Sequence, residues 1–203
     1  MLKGVEFHQD GVDAGIWFFG GDVAVPPRLR AAYSHPPRSP PGQEVGLQRL
    51  NDAGGHLVAM LGTSGDVKEL EGDLGNPGIS SRVQAVCDFC GPTDFTVIDK
   101  FPNGAVKPVT QLLGGPVAEN LEKAKTANPI TYITKDDPPF LIMHGDQDRT
   151  VPVNQSELLN EALKKAGVWV EFEPVKGGGH GFGGPEITKT VNEFFDEKLK
   201  AKK

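Results

Sequence analysis

Two stretches near the C-terminal end carry side chains able to move protons. The first is Leu141-Ile-Met-His144-Gly145-Asp146-Gln-Asp148-Arg-Thr-Val151-Pro152, and the second is Gly177-Gly-Gly-His180-Gly-Phe182. An apolar run ending in His-Gly predicts a buried strand whose C-terminal end opens into an acidic loop. Val168–Val175 predicts another buried strand, ending in a glycine-rich turn that presents His180. Parallel sheets gather their chemistry at the C-terminal ends of their strands. An aspartate and a histidine on neighbouring strand ends are two thirds of a nucleophilic triad: the carboxylate orients the imidazole, which takes the nucleophile's proton. These two stretches do not place the nucleophile itself.

The elements that would position these residues follow from periodicity. Phe140–His144 predicts a strand and Asn154–Ala166 a helix, with Leu158, Leu159, Ala162, Leu163 and Ala166 on one face and Gly167 as its stop. Pro185 opens a last helix that turns Ile187, Val191, Phe194 and Phe195 inward and ends in lysines, which suit the negative end of a helix dipole. Earlier, Gly55–Thr63 predicts a short helix, Ser64–Ser81 a polar loop, and Val83–Cys90 a strand. Gly91–Asp137 predicts an irregular insertion with helical pieces around Val109–Leu113 and Ala118–Thr126. Strands alternating with helices imply an α/β class chain with a mostly parallel sheet between helical layers, a three-layer α/β/α sandwich.

The front of the chain differs. Met1–Phe19 predicts two short strands and Val45–Leu50 another. Asp22–Gln43 holds six prolines, which lack the amide donor and fix φ, so neither helix nor central strand should persist there. The division expected is an atypical Pro/Arg-rich segment over residues 1–45, partly disordered, and a catalytic domain over 46–203 carrying the insertion at 91–137.

At 203 residues the chain suits one well-buried domain. A net charge of -6 without a basic stripe argues against nucleic acid and anionic membrane as partners. No apolar run reaches the roughly 18 residues of a membrane span, and the N-terminus lacks a signal-peptide layout. The expectation is a soluble, cytoplasmic protein. The two cysteines, Cys87 and Cys90, fall within a strand pattern, where residues three apart face opposite sides. They read as structural rather than as a redox or zinc pair. No metal and no organic cofactor is implied, and Gly177–Gly179 reads as backbone freedom for His180 rather than a phosphate cradle.

Taken in order, Ala53-Gly-Gly-His-Leu-Val-Ala-Met-Leu-Gly-Thr63, Cys90-Gly-Pro-Thr-Asp-Phe95, Leu112-Leu-Gly-Gly-Pro116, Asn128-Pro-Ile-Thr-Tyr132, the His144–Pro152 loop and Gly178-Gly-His-Gly-Phe182 resemble the α/β-hydrolase superfamily. They are most similar to its small esterases of the carbohydrate-esterase and prolyl-oligopeptidase-like type. The resemblance covers roughly residues 53–203. It implies an α/β-hydrolase fold, altered and N-terminally truncated, with Asp148 as the acid and His180 as the base. Asp146 competes, but residues two apart at a strand end diverge. His144 reads as a packed strand-end residue and His56 as structural.

In such enzymes the nucleophilic serine sits on a sharp strand-to-helix turn, and the next amides help form the oxyanion hole. Here the segment reads Leu50-Asn51-Asp52-Ala53-Gly54-Gly55-His56. The backbone of Ala53 and Gly54 would serve the oxyanion hole, with Asp52 standing where serine belongs. The resulting expectation is a hydrolase of small carboxylic esters, including acyl groups on sugars, with Asp52 as the replaced nucleophile. Ser64 in Gly62-Thr-Ser-Gly65 falls at the far end of the following helix and reads as its stop. His180 acting directly on water is a further route. Two other readings stand beside this one. Asp52 and Asp148 could form the carboxylate pair of a glycoside hydrolase such as a glucosidase, acting on a small glycoside. The scaffold could also be an inactive remnant or a binding protein.

Overall fold

Strand Phe140–Gly145 is buried at every position and carries the two faces of the core. Successive strand residues point to opposite sides of a sheet. Phe140 and Ile142 accordingly pack with Ala59, Val86, Leu159, Leu163 and Val168. Leu141 and Met143 pack on the other face with Phe89, Phe182, Phe194 and Phe195. Fully burying side chains of this size contributes about 1.5–3 kcal/mol each.

In the computed structural model, residues 3–9, 12–18, 53–65, 67–71, 82–100 and 103–199 are described. Strands β1 (Lys3–Gln9) and β2 (Val12–Phe18) form an antiparallel pair from Lys3↔Phe18 to Gln9↔Val12. Strands β3 (Val86–Phe89), β4 (Phe140–Gly145) and β5 (Val170–Val175) form a sheet in that order. Both of its pairings are parallel, with Val86 opposite Phe140 and Phe140 opposite Val170. Helices α1 (Ala53–Thr63) and α5 (Asn154–Ala166) contribute Ala59, Leu159 and Leu163 to one face. Helix α6 (Pro185–Leu199) contributes Phe194 and Phe195 to the other. A parallel sheet between two helical layers is the α/β class expected, consistent with an α/β-hydrolase fold.

Local chemistry explains several boundaries. Helix α5 stops at Gly167, whose φ of 84° suits a residue without Cβ; its amide and that of Val168 both reach back to the Leu163 carbonyl. Glycine is also required where α1 crosses the sheet. A Cβ on Gly55 would strike Asp88, the Phe89 carbonyl and Gly91, so the first turn of α1 lies directly on the end of β3.

Three expectations need correction. The Ser64–Ser81 loop contains a short helix, α2 (Lys68–Glu71), and 72–81 lies outside the described residues. The insertion is more helical than its sequence suggests, with α3 (Asn103–Leu113), α4 (Leu121–Ala127) and three 3-10 turns around a small core of Phe95, Val109, Leu113, Val117 and Ala124. Cys87 and Cys90 do not face opposite sides. Cys90 lies one residue beyond β3 with a φ of 53°, and this turn returns it to the face that Cys87 packs against. Both thiols are free. The Pro-rich stretch, the strand expected at Val45–Leu50 and Asp52 all lie outside the described residues. Among those described, no helix is long and apolar enough to cross a membrane.

Candidate active site

The site begins where β4 ends. Gly145 presses so closely on the turn after β5 that a Cβ there would meet the carbonyl oxygens of Gly178 and Gly179. The turn is tied down at three points. Asp146 N–H donates to the Val175 carbonyl at 3.2 Å, Gln147 N–H to the Gly178 carbonyl at 2.8 Å, and Gly177 N–H to Asp146 Oδ1 at 2.7 Å. Gly177 takes a φ of 71°, which turns the chain back toward β4. Asp146 is thereby occupied in holding the turn, and His180 is delivered to Asp148.

Asp148 accepts three hydrogen bonds and faces a fourth donor at longer range. Its Oδ1 takes the Thr150 amide at 2.7 Å and the Val151 amide at 3.0 Å. Its Oδ2 takes His180 Nδ1 at 2.8 Å and lies 3.3 Å from His144 Nε2. The Asp148 side chain is 0% exposed, whereas that of His180 is 27% exposed. Burial opposes ionisation of Asp148, yet the bonds from His144, His180 and the Thr150 amide outweigh it and hold the carboxyl well below the usual carboxylate range. An ionised acceptor at Oδ2 requires the hydrogen on His180 Nδ1. In the neutral ring, Nε2 is then the basic nitrogen.

A second arm leaves Asp148 toward the interior. His144 Nδ1 lies 2.7 Å from Ser156 Oγ, and His144 Nε2 lies 3.0 Å from the Val151 carbonyl as well as facing Asp148. Both partners of Nε2 accept only, so Nε2 carries the hydrogen and Nδ1 accepts from the serine hydroxyl. Ser156, His144 and Asp148 thus form a triad-like serine–histidine–aspartate chain. This arrangement overturns the expectation that aspartate, at Asp52, has replaced the serine of the mechanism: a serine hydroxyl is hydrogen-bonded to a histidine held by the acid. Ser156 and His144 are both fully buried. Sequence reasoning missed this arm, treating His144 as packing alone. The available signal was a polar Gln155-Ser156 pair opening the inward face of α5 just after the acidic loop.

The rest of the edge is built from β3 and α1. Ala53 is exposed and Gly54 buried at the start of α1, where the first-turn amides have no partner within the helix. Its position is set by the Gly55 and Gly91 contact and by His56, which donates from Nδ1 to the Pro92 carbonyl at 3.0 Å and packs on Phe95. Burial lowers the His56 pKa, so it is a neutral structural residue. Asp88 accepts Gly91 N–H at Oδ1, while its Oδ2 has no partner among the described residues; burial pushes its carboxyl up to about 6. Gln155 Oε1 accepts the Thr93 and Asp94 amides, each at 2.8 Å, which fixes the loop after β3 to α5. Ser64 closes α1 by donating its amide to the Met60 carbonyl.

Donor atoms of Cys90, His144 and Asp148 come within 4.8 Å of one another. The His144 nitrogen that faces Asp148 presents a hydrogen rather than a lone pair, and burial first, then the carboxylates of Asp148 and Asp88, pushes the Cys90 thiol well above its ordinary value. As arranged, the trio is a hydrogen-bonded cluster and not a set of metal donors.

A parallel sheet with Asp148 and His180 at adjoining strand ends, and a helix starting on the end of the neighbouring strand, defines an α/β-hydrolase. The chain belongs to the BD-FAE family, which it matches over residues 51–163. Among solved structures, a truncated carbohydrate esterase from gut microbiota is 36% identical with a TM-score of 0.69, covering 75% of this chain and 59% of that one. Esterase 2 of Thermogutta terrifontis is 29% identical with a TM-score of 0.56, covering 72% of this chain and 52% of that one; it has also been solved with propionate and with butyrate bound, and phosphorylated by paraoxon. Esterase LipQ of Mycobacterium tuberculosis (strain ATCC 25618 / H37Rv) is 31% identical over 120 residues, 57% of this chain and 27% of LipQ. The chain therefore spans little over half of these solved relatives and under a third of the curated one.

Proposed function

We propose that this chain hydrolyses small carboxylic esters, with His180 as general base and Asp148 as the group that orients it. The observation that carries the reading is the 2.8 Å contact between His180 Nδ1 and a fully enclosed Asp148 carboxylate, with the imidazole itself reaching solvent. In this reading His180 Nε2 takes a proton from an attacking water as its oxygen bonds to the acyl carbon. The carbonyl electron pair moves to oxygen, where the Ala53 and Gly54 amides at the start of α1 stabilise it. Collapse expels the alkoxide, which recovers the proton from His180. In this reading the insertion at 91–137 covers this edge of a catalytic domain spanning 46–203.

Short acyl groups are favoured by the propionate- and butyrate-bound forms of the Thermogutta esterase. The likeness to a carbohydrate esterase favours acyl groups borne by sugars. Two free cysteines suit the reducing cytoplasm, where we place the activity. The test is turnover of p-nitrophenyl acetate by the full chain. His180→Ala should lower kcat by about 10²–10⁴-fold, the usual worth of a general base. Equal turnover by the variant, or none by the parent chain, would overturn the reading.

A further inference from the structure

We infer that Ser156 and His144 act together as positioning residues: a buried relay that fixes the Asp148 carboxylate and so sets how strongly it holds His180. The inference rests on the reading of His180 as the base. It starts from a competition visible in the geometry. Asp148 Oδ2 is shared by two imidazoles, with His180 Nδ1 at 2.8 Å and His144 Nε2 at 3.3 Å. Oδ1 is already committed to the Thr150 and Val151 amides. Charge that Oδ2 gives to His144 is charge withheld from His180.

The ring of His144 is held from both ends. Ser156 Oγ on α5 lies 2.7 Å from Nδ1, and the Val151 carbonyl lies 3.0 Å from Nε2. These contacts fix tautomer and ring plane together. The other titratable groups facing the pair come from β3 and its end. Asp88 acts on His144, and the Cys90 thiol contacts Asp148. Neither replaces the serine as a partner for Nδ1.

Burial decides between positioning and direct attack. Ser156 and His144 are each 0% exposed, on a helix interior and a central strand, while His180 opens to solvent. An ester reaching Ser156 would have to enter the packed layer between α5 and the sheet. Seen from the substrate side, the chain runs His180, Asp148, His144, Ser156, with only its first member at the surface.

The test is Ser156→Ala in the full chain, read by proton NMR and by kinetics. Loss of the hydroxyl loosens the His144 ring and weakens its claim on Oδ2. The far-downfield resonance of the His180 Nδ1–H···Asp148 bond should move further downfield. The acid limb of the kcat/KM profile on p-nitrophenyl acetate should shift to higher pH by about half a unit, as partial loss of a hydrogen bond to a charged group would give. The kcat should fall about three- to ten-fold with KM unchanged. An unmoved resonance and profile overturn the relay, as does complete loss of turnover in a folded variant. A paraoxon adduct mapped to Ser156 in the parent chain also overturns it. Should Ser156→Ala not fold, ¹⁵N NMR of the parent chain decides: His144 must carry its hydrogen on Nε2 and accept the Ser156 hydroxyl at Nδ1, and a ring with its hydrogen on Nδ1 overturns the relay. Absence of esterase turnover would sink the proposed function instead, and the NMR readouts would still judge the relay.

Discussion

Gly145 and Gly178 meet backbone to backbone, with no room between them for a Cβ on Gly145. This contact sets the distance between the end of β4 and the turn after β5, and therefore the reach from Asp148 to His180. Gln147 N–H donates to the Gly178 carbonyl at 2.8 Å across the same junction. Gly145→Ala should push the turn outward, because the obstacles are the Gly178 and Gly179 carbonyl oxygens and not flexible side-chain ends. The expected result is a loss of about 1–3 kcal/mol in a denaturant titration, the usual cost of overpacking. Turnover of p-nitrophenyl acetate should fall at least about ten-fold, since small displacements of a base cost much in rate. Unchanged stability and kinetics would show that the turn does not depend on this contact.

Replacing Asp148 separates its charge from its shape. Asp148→Asn keeps the side-chain outline but offers an amide to two imidazole N–H groups. His180 would then favour the wrong tautomer, and turnover should drop by about 10³–10⁴-fold, as at comparable acid–base pairs. The pH dependence of stability should change too. The folded-state pKa of Asp148 lies below its ordinary value, so its contribution is complete above about pH 4 and is lost as pH falls through the folded value. Thermal melts of the asparagine variant should therefore lose less stability between about pH 5 and pH 2 than those of the parent. Parallel acid arms would contradict this.

Much of this architecture is legible along the chain. Helix α5 follows from leucine spacing ending at Gly167, and it forms over the residues expected, Asn154–Ala166. The aspartate and histidine stretches stand at strand ends because each follows an apolar run that only a buried strand can use. What failed to show were relationships made by packing. A search ahead of Ala53-Gly-Gly-His for a serine finds Asp52, whereas Ser156 reaches His144 from a helix laid across the sheet. Strand alternation misjudged Cys90 because a φ of 53° takes it out of the strand before the alternation completes. The helices of the insertion went partly unseen because Phe95, Val109, Leu113, Val117 and Ala124 make a core of their own, which stabilises helices that propensity alone leaves weak.

Leu163 tests the layer that carries the relay. It is fully buried on α5 and packs with Phe140, Ile142 and Leu159 beneath Ser156. Leu163→Ala should cost about 2–5 kcal/mol, the range for buried leucines that leave a cavity. Chemical denaturation measures it directly. A loss well under 1 kcal/mol would mean that α5 collapses onto the sheet to fill the space, and the His144 to Ser156 bond should then be disturbed.

Asp88 should weaken the folded state at neutral pH, and removing its charge should strengthen it. It is 0% exposed, one oxygen accepts Gly91 N–H, and the other has no partner among the described residues. Burial raises its pKa from 3.8 to about 6 in the folded chain. A carboxyl with a raised folded pKa binds its proton more tightly when folded, so stability falls as pH rises from about 4 and levels off above about 6. A shift of about two units corresponds to on the order of 3 kcal/mol. Asp88→Asn keeps an acceptor for Gly91 N–H and cannot ionise. It should raise Tm at pH 8, and the gain should vanish below about pH 4, where the parent carboxyl is protonated in both states. Thermal melts at the two pH values measure the difference, and a variant less stable than the parent at pH 8 would show that the buried carboxylate is held by contacts stronger than the Gly91 amide.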